Sequence, residues 1–102
     1  MSKQTILSGI TATGRAHIGN YFGAMKQFVG LQALHADAEK FYMIADYHGL
    51  NFIQDADKMR QVTLDLALDY LAIGIDPERS VIFKQSDVPA HTELTWIFDT
   101  IV

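Results

Sequence analysis

Cysteine is absent from this chain, which excludes disulfides and thiolate-held metal sites. The expectation that follows is a reducing compartment, the cytoplasm. No apolar run approaches the ~18 residues needed to cross a bilayer, so no membrane partner is expected. Positive charge is scarce: 8 lysines and arginines stand against 12 acids, a net charge of −4. Without a basic run, the segment by itself has no electrostatic grip on a nucleic-acid backbone. Proline occurs only as Pro77 and Pro89, both between periodic stretches, where they stop or start helices. The opening MSKQTILSG enters an apolar strand pattern at once, without the pattern of a signal or transit peptide. Repeats, linkers and low-complexity tracts are also missing, so 102 residues leave room for one small domain with one core.

What is present is an alternation of strand and helix. Residues 5–10 read as a first strand and residues 18–34 as a helix whose apolar face is Ile18, Phe22, Met25, Val29 and the leucine-bearing stretch 31–34. Residues 40–45 (KFYMIA) are nearly all apolar, which predicts a strand buried on both faces. Asp55 is placed to cap a helix over 56–73, with one stripe at Met59, Val62, Leu66, Tyr70 and Ile73 and a second at Leu64, Leu68 and Leu71. Lys58, Gln61, Asp65 and Asp69 mark its wet face. Gly74 suits the C′ position, with Asp76 and Pro77 as a stop. A short strand over 80–84 and a last helix from about Pro89 to Thr100 complete the chain. The pattern predicts an α/β fold: three parallel strands in the order 3-2-1 with flanking helices, the N-terminal half of a doubly wound sheet. In that order the first strand is an edge, and the apolar ending Ile101-Val102 has no cap. Both features lead to the expectation of a truncated piece of a longer protein.

Between the first strand and first helix lies GRAHIGNY, residues 14–21, after the small polar loop SGITATG. A strand, a glycine-rich turn and a helix start form a place for phosphate, because free N–H groups and the helix dipole face outward there. Gly14 and Gly19 have P-loop spacing, but Asn20 and Tyr21 follow where lysine and a hydroxyl residue belong. The dinucleotide spacing is absent too. His17, Gly19 and Asn20 remain as an imidazole, a bare backbone and an amide on one turn. Taken singly, such a tetrapeptide is a tight strand-to-helix turn with a surface histidine.

The stretch TGRAHIGNYFGA resembles the first signature of class I aminoacyl-tRNA synthetases, and Asn20 in its fourth position looks like the tryptophanyl branch. FYMIADYHGL (41–50), GIDP (74–77), QSDVP (85–89) and ELTW (93–96) resemble later landmarks of that branch, in the same order. The resemblance runs from Leu7 to the end of the chain. One departure is Thr11-Ala12-Thr13, where many members carry Gln-Pro-Ser; it removes a side-chain contact to nucleotide from position 11 but leaves backbone contacts intact.

The resemblance implies a Rossmann-like nucleotide-binding half over residues 1–102. It also implies activation of tryptophan by ATP and transfer to tRNA(Trp) by the complete protein, a homodimer. It assigns His17 and Asn20 to catalysis and residues 11–13 (Thr11, Ala12, Thr13), Gly19 and Asn20 to ATP. It places Leu7 and His48 beside the tryptophan substrate. For Leu7, ordinary strand core is an equal alternative. Mg²⁺ is expected to arrive with ATP, with no protein ligand in this segment. His48 as a metal ligand lacks a second ligand at suitable spacing. Asp46, Tyr47 and His48 are expected along an extended segment at the carboxyl end of the second strand, with Tyr47 facing away from the other two. His91 reads as a surface or subunit-contact residue, His35 as a helix C-terminal residue, and Trp96, Ile97 and Phe98 as core or interface. Three other readings stay open: the tyrosyl branch, a nucleotide-binding module without catalysis, and a folded fragment without activity.

Overall fold

The computed structural model describes residues 3–14 and 17–102. Arg15 and Ala16 of the glycine-rich motif, and the first two residues of the opening segment, lie outside the described residues. Three strands, β1 (Thr5–Thr11), β2 (Glu39–Ala45) and β3 (Val81–Lys84), form one parallel sheet in the order β1-β2-β3. The register pairs Thr5 with Glu39 through Thr11 with Ala45, and Phe41 with Val81 through Ile44 with Lys84. The order and direction agree with the alternating pattern of the sequence, and β1 lies at the edge.

Side chains alternate across the sheet. Lys40, Tyr42 and Ile44 point to one face and are buried. That face carries the helices α2 (Lys26–Leu34) and α4 (Ala56–Ala72). Met25 and Phe28 from one side, and Val62, Leu66 and Tyr70 from the other, join Tyr42, Ile44, Ile53 and Ile75 in a single core. Phe28 stacks on Tyr42 at 4.6 Å between ring centroids. The Tyr42 hydroxyl donates to the Phe28 carbonyl at 2.9 Å, and that of Tyr70 to the Met43 carbonyl at 3.1 Å. Each phenol thus buries its ring and satisfies its polar end. Burial pushes both tyrosine pKa values upward.

The expectation that β2 is covered on both faces is corrected. Phe41 and Met43, on the other face, are half-buried, and on the flanking strands Leu7 is 60% exposed and Val81 exposed. The described long helices of the two crossovers pack the same face, so a largely apolar strand has one side only partly covered. Phe41 and Phe83 meet edge to face there, at 6.5 Å.

The first helix also differs from expectation. It opens with α1 (Ile18–Asn20), passes through a π-helical stretch (Tyr21–Met25) and continues as α2. Lys26 N–H reaches back to the Tyr21 carbonyl. The wider turn shifts the phase of everything before it, so a stripe counted at 3.6 residues fails across the junction. Met25, Phe28 and Gln32 are buried, while Ile18 is 75% exposed and Phe22 and Leu34 are exposed.

Helix α4 follows its sequence closely. The Asp55 carboxylate accepts the Lys58 N–H at 2.7 Å. At the other end Gly74 takes φ +110, and Gly74 and Ile75 donate to the Leu71 and Tyr70 carbonyls at 3.2 and 3.1 Å. This is a Schellman motif, whose C′ residue needs the left-handed region that glycine tolerates. The stripe at Val62, Leu66 and Tyr70 is buried; Leu64, Leu68 and Leu71 are exposed. Gln32, 4% exposed, ties the loop after α4 to α2. Its Nε2 donates to the Gly74 carbonyl at 2.9 Å, and its Oε1 accepts from Asp76 N–H at 2.7 Å and Ser80 Oγ at 3.0 Å. Lys40, 2% exposed, donates from Nζ to the His35 and Ala38 carbonyls, both at 2.7 Å, and so closes the C-terminus of α2.

Helix α5 (Ala90–Ile101) has no buried residue. Trp96 is 73% exposed, with Ile97 and Phe98 also exposed, so they are not core in this chain. The radius of gyration, 14.5 Å, exceeds the ~13 Å of a compact domain of this length, in keeping with a helix that stands away from the body.

Candidate functional site

Parallel strands in register end together. Thr11, Ala45 and Lys84 close β1, β2 and β3 at one edge of the sheet, so the segments that follow converge there: the loop after Thr11, α3 (Asp46–Gly49) and a 3₁₀ turn (Gln85–Asp87). The carboxyl edge of an open parallel sheet is where such folds place ligands.

On the β1 side, Thr11 pairs with Ala45 and Ala12 is fully buried, its N–H reaching the Ala45 carbonyl at 3.4 Å. Thr13 is exposed. His17 then caps α1 with its ring. Its Nδ1 accepts the N–H groups of Gly19 at 3.1 Å and Asn20 at 3.3 Å. In return Asn20 Oδ1 accepts the His17 N–H at 3.0 Å. A capping box is ordinarily built from a hydroxyl and a longer acid or amide; here imidazole and asparagine fill the two roles. The arrangement has a chemical consequence. A ring nitrogen that accepts two N–H groups carries no proton, so the neutral ring bears its proton on Nε2. The Asn20 amide must turn its oxygen to His17, which leaves the NH₂ as the group it can offer a ligand. Both side chains present donors, as phosphate or hydroxyl oxygens require.

On the β2 side, the structure corrects the expected extended segment: Asp46, Tyr47, His48 and Gly49 form a helical turn. An extended chain would carry β2 past the sheet edge. Instead the Asp46 carboxylate accepts the Tyr47 N–H at 3.0 Å and turns the backbone. Gly49 is buried, and an added Cβ there would collide with the Ala12 carbonyl oxygen. The turn therefore rests directly on the backbone of the loop after β1. On its other flank the Asp46 carboxylate accepts from the Ser86 N–H and Oγ, and the His48 N–H donates to Gln85 Oε1 at 3.2 Å. Asn51 Nδ2 lies 3.4 Å from His48 Nδ1.

The residues singled out from the sequence do not share one cavity. His17 lines an open cleft of about 370 Å³ with Tyr21, Met25 and Asp69. His48 lines a groove of about 310 Å³ against α5, with Gln85, His91 and Trp96. Leu7 lines a third space, about 370 Å³, on the open face of the sheet with Phe41, Val81 and Phe83. His91 borders the last two, its ring 6.2 Å from that of Phe83. His35 caps the C-terminus of α2. Sequence reasoning passed over Gln85 and Ser86. The rule that marks Asp46, a polar residue just after a buried strand, applies equally to the pair that follows SVIFK. Among the described residues no group of three or more His, Asp or Glu side chains could hold a metal ion, and no helix is long and apolar enough to cross a membrane.

A three-stranded parallel sheet with flanking helices, a capped imidazole after its first strand and loops gathered at its carboxyl edge defines an α/β protein built as the N-terminal half of a doubly wound fold. The chain belongs to the family of tRNA synthetases class I (W and Y), which matches residues 1–102. It is 55% identical over 95 residues to a tryptophan–tRNA ligase of Fusobacterium nucleatum subsp. nucleatum, covering 93% of this chain and 28% of the relative. It is 44% identical over 99 residues to that of Bacillus subtilis, covering 97% and 29%. Its structure is similar to that of Campylobacter jejuni tryptophanyl-tRNA synthetase complexed with ADP and tryptophan, with a TM-score of 0.83 at 42% identity over 95% of this chain and 30% of the other. These relatives agree with the tryptophanyl branch read from the sequence. The chain spans less than a third of the length of each of them.

Proposed function

We propose that residues 1–102 are the N-terminal nucleotide-binding half of a class I catalytic domain within a longer tryptophan–tRNA ligase. The reaction read from this is the attack of the tryptophan carboxylate on the α-phosphorus of ATP. The bond to the β-phosphate breaks, pyrophosphate leaves, and the adenylate then transfers tryptophan to tRNA(Trp). The carboxylate is already a nucleophile, so the protein must align the reactants and offset charge spreading over phosphate oxygens.

The observation that carries the reading is the reciprocal cap of His17 and Asn20 in a chain whose relative holds ADP and tryptophan. It presents the His17 Nε2–H and the Asn20 NH₂ as donors. In this reading they bond the ATP phosphates, with Gly19 giving the nucleotide room and the backbone of Thr11, Ala12 and Thr13 beside it. Leu7 and His48 border the tryptophan. They occupy separate cavities in this chain, and further parts of the longer protein would join them. Mg²⁺ arriving with ATP would offset phosphate charge; among the described residues no group of three or more His, Asp or Glu side chains could hold it. The exposed apolar faces of α4 and α5 fit contacts to the rest of the domain and to a second copy in a homodimer. The composition suits the cytoplasm.

The test is tryptophan-dependent exchange between pyrophosphate and ATP, measured on the complete protein. Exchange with tryptophan and not with tyrosine is expected. Preference for tyrosine would move the protein to the tyrosyl branch, and exchange with neither would leave a nucleotide-binding module. The 102-residue chain alone should not charge tRNA at the ~1 per second or more typical of enzymes.

A further inference from the structure

We propose that Asp46 and Ser86 are a positioning pair that sets the place of His48 and thereby the affinity for the amino-acid substrate. The proposal rests on the reading above, in which His48 borders the tryptophan. His48 is held only weakly by its own side chain. Its ring is exposed at the rim of the groove, and its hydrogen bond with Asn51 Nδ2 is long, at 3.4 Å. What places the ring is the backbone of α3, a single four-residue turn. So short a helix has almost no stability of its own. Its conformation must come from what it touches.

The contacts are unevenly divided. Among the described residues, the turn's support toward the loop after β1 is van der Waals contact, Gly49 lying against the Ala12 carbonyl, with the Met59 side chain of α4 beside it. Toward β3 it has directional bonds. One Asp46 oxygen accepts both the Tyr47 N–H and the Ser86 N–H, each at 3.0 Å. The other accepts the Ser86 hydroxyl. Two residues after Asp46 and one before Ser86, the His48 N–H donates to Gln85 Oε1 at 3.2 Å. The carboxylate therefore joins two backbone segments that parallel strands bring side by side but that share no ladder bond beyond Ile44 and Lys84. Hydrogen bonds to an ionised acceptor are among the stronger ones available, and both partners are half-buried, which spares them competition from water. Removing them frees α3 to turn about Ala45 and carries His48 with it. The nucleotide side, fixed by the His17–Asn20 cap, has no bond in this network.

The consequence is a split between the two substrates. In the complete protein, Ser86→Ala should raise the KM for tryptophan about tenfold, as expected for one lost charge-assisted bond. The KM for ATP and kcat should stay within about twofold. Ser86→Thr, which keeps the hydroxyl, should restore the tryptophan KM. In this chain, hydrogen exchange of the His48 and Tyr47 amides should quicken in Ser86→Ala and not in Ser86→Thr. Equal changes in both KM values would mean general loosening and overturn the proposal. So would an unchanged tryptophan KM in Ser86→Ala when the parent exchanges pyrophosphate with tryptophan, and in that case the functional reading itself would stand. A parent that shows no tryptophan-dependent exchange overturns the reading and the pair's role together.

Discussion

His17 and Asn20 hold each other: the ring Nδ1 accepts the Asn20 N–H at 3.3 Å, and the Asn20 side-chain oxygen accepts the His17 N–H at 3.0 Å. The same ring nitrogen takes the Gly19 N–H. Two roles are combined in one imidazole, a cap inward through Nδ1 and a donor outward through Nε2. They can be separated by substitution. His17→Ala should lose the cap, about 1 kcal/mol of stability, and lower tryptophan-dependent pyrophosphate exchange by about two orders of magnitude. Tryptophan affinity should change little. His17→Asn retains a cap oxygen but places no donor at the Nε2 position. It should be as stable as the parent and as slow as His17→Ala. Nitrogen NMR of the neutral ring should show the proton on Nε2; a proton on Nδ1 would contradict the cap.

Gln32 connects α2 to the turn between α4 and β3 through three hydrogen bonds. Gln32→Leu keeps the volume and removes every partner, leaving the Gly74 carbonyl, the Asp76 N–H and the buried Ser80 hydroxyl unsatisfied. Such orphaned groups cost about 1–3 kcal/mol each. A loss of at least about 2 kcal/mol is expected, read as a lower urea midpoint at unchanged slope. A midpoint equal to the parent's would show that the turn is held by other means.

Tyr42 and Tyr70 are neutral and hydrogen-bonded in the core, with their pKa values raised chiefly by burial. The unfolded chain ionises its tyrosines near the ordinary value of ~10; the folded chain keeps these two protonated to higher pH. Above pH ~10 the unfolded state binds fewer protons, so stability falls as pH rises. Below that value the contribution is fully present. For Tyr70 the expected slope approaches about 1.4 kcal/mol per pH unit above pH ~10, and Tyr42 adds to it in the same direction. Urea midpoints between about pH 8 and pH 11.5 read it directly, and Tyr70→Phe should make the slope shallower. Stability independent of pH up to 11 would contradict the burial of these hydroxyls.

Helix α5 exposes Leu94, Trp96, Ile97, Phe98 and Ile101, and α4 exposes Leu64, Leu68 and Leu71. Contiguous apolar surface above a few hundred Å² is unusual on a stable monomer. At micromolar concentration the chain should sediment as a dimer or larger. Replacing Trp96 and Phe98 by polar residues should shift it toward 11.4 kDa. A parent that sediments as a clean monomer and binds no apolar dye would show that these faces need no partner.

Local chemistry and periodicity were enough to read the sheet order, the stripe of α4 and its two ends. The Asp55 cap and the Gly74 turn depend only on near neighbours, and each strand was bounded by polar and glycine residues within a few positions. The tetrapeptide His17-Ile18-Gly19-Asn20 was legible as a strand-to-helix turn for the same reason, while the reciprocal cap between its two side chains was not read from the sequence. Its capping partners are two and three residues apart, within reach of a local pattern.

What only the tertiary structure decided depends on distant pairs. The π-helical turn broke the counted stripe of the first helix, because its extra residue rotates every side chain before it relative to the buried face that follows. A nearly all-apolar β2 predicted two covered faces, yet the long helices of both crossovers chose the same one; apolar side chains state that burial is favoured but not which element supplies it. Gln32 and Ser80 are separated by 48 residues, and Asp46 and Ser86 by 40. No local pattern announces such bonds, since each residue taken alone reads as a polar group at an element's end. Their meaning arises when parallel strands end at one edge and bring the following turns within hydrogen-bond distance. By itself the sequence determined the three strands and the main helices, their order and the family. The tertiary structure decided which polar groups meet, because that depends on where the chain returns and not on what stands beside it.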